Sequence, residues 1–229
     1  MIEQQPILLT GIQRSGTSMI AGVLYACGAF VGDVAVKNNV KRGMFENIRI
    51  RDTIVKPYLE SMKADRNGQW PLPKNIYVPI TWRQRVEQVM TDEGYIDGPW
   101  LYKDTKMGAM WQVWNYAYPN AKWVIVRRRT GDVVQSCLKT GFMRAFKSEK
   151  LRQELGLKDE REGWLMWVHE YEKKFVEMIE EGVNCKVIWP ERLLDGNFQQ
   201  LYELLEWLGL RWDRGALDYI NPLVGNERR

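Results

Sequence analysis

The chain has 229 residues, 45% of them hydrophobic and 27% charged, the balance of an ordinary globular protein and not of a disordered, collagenous or coiled-coil chain. Thirty-three basic and twenty-nine acidic residues leave a net charge of +4. That is too small for a dedicated nucleic-acid binder, so any anion site is local.

Three widely spaced cysteines (Cys27, Cys137, Cys185) and one histidine, His169, argue against a disulfide framework or a Cys/His zinc site and suggest a reducing compartment. Met1-Ile-Glu-Gln-Gln-Pro6 lacks the basic region and apolar core of a signal peptide. The longest apolar stretch, Met19 to Gly32, is too short to span a bilayer. No membrane partner is expected, and the expected location is cytoplasmic.

Pro6-Ile-Leu-Leu-Thr10 is a short apolar run ending at a glycine, the pattern of a buried parallel strand. A polar turn, 11–16, follows, and from Thr17 the spacing of Met19, Ile20, Val23 and Leu24 predicts a helix. Residues 46–63 are helical in pattern, with Pro57 expected to kink or restart the helix. Residues 64–80 hold Gly68, Pro71, Pro73 and Pro79 and read as an irregular excursion in the position of a lid. A helix over 81–93, capped by Thr81, comes next. Strands are predicted at Trp100-Leu-Tyr-Lys103, Lys122-Trp-Val-Ile-Val-Arg127 and Cys185-Lys-Val-Ile-Trp189. Helices are predicted over 130–140, 160–181 and 197–208, the last closed by Gly209. Strands alternating with helices predict one α/β domain over 1–229. Its expected form is three layers, a mostly parallel sheet with helices on both faces, and ligands at the carboxyl ends of the strands.

The strongest motif is Gly11-Ile-Gln-Arg-Ser-Gly-Thr-Ser18, between a strand and a helix. A loop there aims backbone amides and a helix N-terminus at one point, where an anion fits. The spacing is that of the nucleotide-binding G-x-x-x-x-G-K-[ST] loop, with Thr17 in the lysine position and Arg14 as the nearest cation. Without a ligand the same residues form a glycine-bounded turn. The second motif is Arg127-Arg-Arg-Thr-Gly-Asp-Val-Val-Gln-Ser136. Arg128, at a strand end, and Ser136, two turns into the next helix, can converge on a second phosphate. The alternative is a solvated basic run beside a helix start served by Asp132.

Together these motifs resemble the 5′-phosphosulfate loop and the 3′-phosphate motif of the sulfotransferases that use 3′-phosphoadenosine 5′-phosphosulfate (PAPS). Four further segments resemble, in order, that family's bacterial-type members. They are Gly43-Met-Phe-Glu-Asn47, Trp100-Leu-Tyr-Lys-Asp-Thr-Lys106, Trp189-Pro-Glu-Arg-Leu-Leu194 and Trp207-Leu-Gly-Leu210. The chain departs from the family at Thr105, where cytosolic members carry a catalytic histidine, at Met19, and at Arg129-Thr130.

The resemblance implies a P-loop-type fold with Gln13, Arg14, Ser15, Gly16, Thr17 and Ser18 on the 5′-phosphosulfate and Arg128 and Ser136 on the 3′-phosphate. Arg14 and Lys103 would neutralise charge during transfer, and Glu46 would accept the proton of a hydroxyl or amine acceptor, with Asp104 as second candidate. Glu46 reads equally as a helix-start carboxylate. The basic tail Gly225-Asn-Glu-Arg-Arg229 is a further phosphate ligand by resemblance or a frayed end. No metal is expected, because a sulfuryl group carries less charge than a γ-phosphate. The expected partner is a small-molecule or carbohydrate acceptor. Trp70, Tyr77, Trp82, Phe142, Arg144, Phe146 and Lys147 are candidates for its site. The alternatives are a kinase that holds magnesium on Asp104 and a nucleotide-binding module without chemistry.

Overall fold

The computed structural model describes residues 5–34 and 44–220. Four strands, β1 (Ile7–Gly11), β2 (Leu101–Lys103), β3 (Lys122–Val126) and β4 (Cys185–Ile188), form a sheet in the order β2-β1-β3-β4. Every pairing is parallel: Ile7–Leu9 lie beside Leu101–Lys103, Ile7–Gly11 beside Lys122–Val126, and Trp123–Val126 beside Cys185–Ile188. A bridge from Phe30 to Trp100 extends the β2 edge. In chain order the helices are α1 (Thr17–Ala26), α2 (Ile48–Ile50), α3 (Lys56–Ser61), α4 (Trp82–Asp92), α5 (Trp111–Ala117), α6 (Thr130–Lys139), α7 (Glu149–Glu154), α8 (Glu160–Glu180), α9 (Pro190–Leu194), α10 (Gln199–Leu208) and α11 (Leu217–Ile220).

Because side chains alternate along a strand, the sheet feeds two apolar layers. Ile7, Leu9, Val124 and Val126 pack with Ile20, Leu24 and Leu205 of α1 and α10. Leu8, Tyr102, Trp123 and Ile125 pack with α4, α5, α6 and α8 in a second layer rich in aromatic rings. There Tyr102 stacks on Trp114 at 4.7 Å, and Trp82 meets Trp114 edge-on at 5.4 Å. Trp82, Trp100, Trp114, Trp123, Trp164 and Trp167 are fully buried, so most of the chain's many tryptophans build the core. The α/β architecture read from the sequence is the one observed, with the sheet parallel throughout.

Three local expectations change. The break ahead of Pro57 is a π turn over Arg51–Val55 joining α2 to α3, where the Lys56 N–H donates to the Arg51 carbonyl five residues back. Proline has no N–H, so the ladder cannot continue in α register through residue 57, and the shift falls in the turn before it. Thr81 precedes α4 but makes no side-chain capping bond. Helix α7 was not foreseen, although Ser148 caps it by accepting from the Leu151 N–H. Among the described residues no helix is long and apolar enough to cross a membrane.

Gly11, where β1 turns into the first motif, lies so close to β3 that an added Cβ would stand 2.4 Å from the Val126 carbonyl oxygen. Backbone cannot retreat from that contact without parting the two central strands. Gly11→Ala should therefore lower unfolding stability by about 2 kcal/mol or more, read by urea denaturation. An unchanged midpoint and slope would contradict this packing.

Candidate active site

The loop after β1 is curled by two left-handed residues, Arg14 (φ 74°) and Gly16 (φ 98°). Holding a non-glycine residue there costs roughly 1–2 kcal/mol, strain of the kind that collects at functional sites. Gly16 is the N-cap of α1, with no side-chain cap, so no side chain competes for the helix's first amides. The Ser15 hydroxyl is buried without a partner. Pro190, at the start of α9, would lie 3.0 Å from a Cβ on Gly16 and so backs the loop from below.

Arg14 reaches across the sheet. Its Nε donates to Ser136 Oγ of α6 at 2.9 Å, and Arg128 donates to the Arg14 carbonyl at 3.2 Å. The structure thus brings Arg14, Arg128 and Ser136 together, above the point where chain connections leave β1 and β3 in opposite directions. Such a switch point is the usual ligand position in an open parallel sheet. Glu191 completes this corner: its Oε1 accepts from the Arg129 N–H at 3.2 Å and stands 3.9 Å from Arg128 Nε. In the sequence Glu191 stands only within the segment Trp189–Leu194, and nothing local marks it as a partner of Arg129.

On the other side of the loop lies a cavity of about 570 Å³. Gln13, Arg14, Thr17 and Ser18 form one wall; Glu46, Lys103 and Lys106 line its floor. Lys103 ends β2, and its Nζ donates to Glu46 Oε1 at 3.1 Å and to the Met44 carbonyl at 2.9 Å, with Ser18 Oγ 3.5 Å away. Glu46 Oε2 stands 3.6 Å from Lys106 Nζ and 3.7 Å from Arg51. Glu46 is not the cap of α2, because Asn47 Oδ1 takes that place by accepting from the Ile50 N–H at 2.9 Å.

Burial opposes the charge on Glu46, but Lys103, Lys106 and Arg51 outweigh it and hold its pKa down at about 2. Asp104 does not line the cavity. It is fully buried, paired with Lys106 Nζ at 2.8 Å and accepting from the Tyr102 hydroxyl at 2.9 Å. Enclosed in this way, it is not placed to take a proton from an acceptor or to hold a metal at the surface.

Residues 64–80 are anchored and do not hang free as a lid. Gly68 O accepts from Trp167 Nε1 and the Tyr171 hydroxyl of α8, at 3.1 and 3.0 Å. The buried Gln69 side chain donates to the Phe142 carbonyl and accepts from the Arg144 and Ala145 amides. Gln13 Nε2 donates to the Asn67 carbonyl, joining this segment to the loop. Of the aromatic and basic residues expected at an acceptor site, Phe142 and Arg144 line the cavity. Trp82 and Phe146 are core residues, and Trp70 packs against the core. Tyr77 packs on Tyr58 outside the cavity, and Lys147 is not part of its lining. Gly43 and the tail 225–229 lie outside the described residues.

No family model and no curated protein matches the sequence. The solved structures do match. Sulfotransferase STF9 from Mycobacterium avium superposes with a TM-score of 0.54 at 12% identity, over 99% of this chain and 69% of that one. A sulfotransferase from Alicyclobacillus acidocaldarius gives 0.52 at 13% identity, over 99% of this chain and 98% of the other. The chain has the sulfotransferase fold.

The depressed pKa has a consequence for stability. Glu46 titrates near 2 when folded against an ordinary 4.5, so its contribution is complete above pH 4.5 and is lost as pH falls toward 2. Unfolding free energy measured by urea between those limits should fall less steeply in Glu46→Gln than in the parent protein. Parallel curves would show that the cluster does not hold Glu46 ionised.

Proposed function

We propose that this protein is a PAPS-dependent sulfotransferase. The observation that carries the reading is the convergence of two anion sites, the amide-rich loop at residues 13–18 and the Arg14–Arg128–Ser136 corner, beside a cavity floored by Lys103 and Glu46. The fold it shares with known sulfotransferases supports the same reading.

In this reading the amides of the loop, with Ser15, Thr17 and Ser18, hold the 5′-phosphosulfate, and Arg128 with Ser136 holds the 3′-phosphate. The acceptor oxygen (or nitrogen) attacks sulfur in line. The bond from sulfur to the bridging oxygen breaks, that oxygen leaves on the 5′-phosphate, and the acceptor's proton passes to Glu46. The products are the sulfated acceptor and 3′,5′-ADP. Lys103 and Arg14 meet the charge that grows on the leaving oxygen and on the transferring group, where fixed charges act most strongly.

The Lys103–Glu46 pair gives this chemistry an order. Before the donor arrives, Lys103 neutralises Glu46, which is then a weak base. A phosphosulfate draws Lys103 toward itself, and Glu46, released from its closest cation, gains proton affinity as the acceptor docks.

Two measurements test the reading. Calorimetry should find 3′,5′-ADP bound more tightly than 5′-ADP by about 1.5–3 kcal/mol, the contribution of one charge-assisted phosphate contact. Arg128→Ala should erase that difference, and equal affinities in the parent protein would contradict the donor assignment. Glu46→Gln, checked for folding by circular dichroism, should keep its affinity for 3′,5′-ADP while turnover falls by about 10²–10⁴-fold. Glu46→Asp should retain part of the activity. A fully active Glu46→Gln enzyme would remove Glu46 from the proton transfer.

A further inference from the structure

Four of the six cations that line the cavity are already matched. Arg51 and Lys56 bind Asp52 at 2.7 Å each, Lys106 binds Asp104, and Lys103 binds Glu46. Arg14 and Arg144 have no carboxylate partner among the described residues. Arg14 belongs to the donor loop and is committed to Ser136. Arg144 is not part of that loop. It lies on the segment after α6, facing the cavity from the wall that Gln69 closes, and its Nε donates to the Gly141 carbonyl at 2.9 Å.

The backbone of Arg144 is fixed, since its amide is held by Gln69 Oε1 at 2.8 Å, while its side chain stays exposed. Phe142, two residues earlier and 53% exposed, presents its ring at the same mouth, with the Arg14 guanidinium carbon over the ring 5.8 Å from its centroid. An exposed ring and an unmatched guanidinium on one anchored wall form a recognition surface, because an arginine fork binds an oxyanion bidentately and an aromatic face binds the ring or apolar body attached to it.

We infer that the acceptor carries an oxyanionic group (a carboxylate, sulfate or phosphate ester) and that Arg144 reads it while Phe142 covers the adjoining part of the molecule. The inference rests on the donor reading above and goes beyond it by naming the class of acceptor. Arg144 is assigned to specificity and not to the chemical step. The acceptor's anion docks on the wall formed by Phe142 and Arg144, and its hydroxyl is thereby turned toward Glu46 on the cavity floor.

The test uses the full chain saturated with 3′,5′-ADP, so that the donor residues are occupied. Phenyl phosphate, phenyl sulfate and phenylacetate are titrated against neutral benzyl alcohol by calorimetry. At least one of the three anions should bind roughly tenfold or more tightly than benzyl alcohol, the scale of one charge-assisted contact, and the ranking among them identifies the preferred oxyanion. Arg144→Ala, a change at an exposed side chain that leaves the Gln69 contact to the backbone intact, should bring anions and alcohol to within about twofold. Arg144→Lys should restore part of the preference. No preference for the anions, no binding of any probe, or a preference that survives Arg144→Ala would overturn the inference while leaving the donor reading in place. Failure to bind 3′,5′-ADP would instead overturn the donor reading before any probe is added.

Discussion

A lysine at the end of a buried strand sets the terms for this site. Lys103 is 3% exposed at the carboxyl end of β2, and an ammonium so placed is tolerable only with anions in contact, because effective desolvation costs several kcal/mol per ion. Glu46 supplies one anion and in turn attracts Lys106 and Arg51; Lys106 requires Asp104, and Arg51 requires Asp52. The result is a charge cluster that spans β2, the start of α2 and the π turn, held as one set. Removing Glu46 would leave Lys103 buried without its carboxylate partner.

The same cluster ties the fold to the chemistry. The sheet order places the end of β1 between β2 and β3, so one loop faces Lys103 on one side and Arg128 on the other. Arg14 bridges the gap through Ser136, and Gln13 ties the loop to the anchored excursion through Asn67. The π turn contributes by letting Arg51 reach both Glu46 and Asp52 just ahead of Pro57, an irregularity of the kind often found at working sites.

Much of this was legible in the sequence because it is local. The glycines at 11 and 16 and the apolar run before them mark a strand–loop–helix unit, and Val126 followed by three arginines marks a strand end. The rest depends on contacts between distant segments. In the sequence Gln69 is one polar residue in a proline-rich segment, yet in the fold it fixes the backbone at 142–145. Glu191 meets Arg129 across 62 residues of chain. Asp104 and Glu46 looked alike as carboxylates near a strand or helix end. Only the packing of Tyr102 and Lys106 encloses the first, while the second stays at the cavity floor.

In the proposed reading, two separate anion sites on this fold hold the two ends of one nucleotide. A crystal structure of the protein with 3′,5′-ADP tests it most directly. The expected result is the 5′-phosphate on the loop amides of residues 13–18 other than that of Ser15, which is bonded to the Ile12 carbonyl, and the 3′-phosphate on Arg128 and Ser136, with Lys103 drawn toward the nucleotide. A nucleotide bound elsewhere, or one whose 3′-phosphate points to solvent away from Arg128, would contradict it.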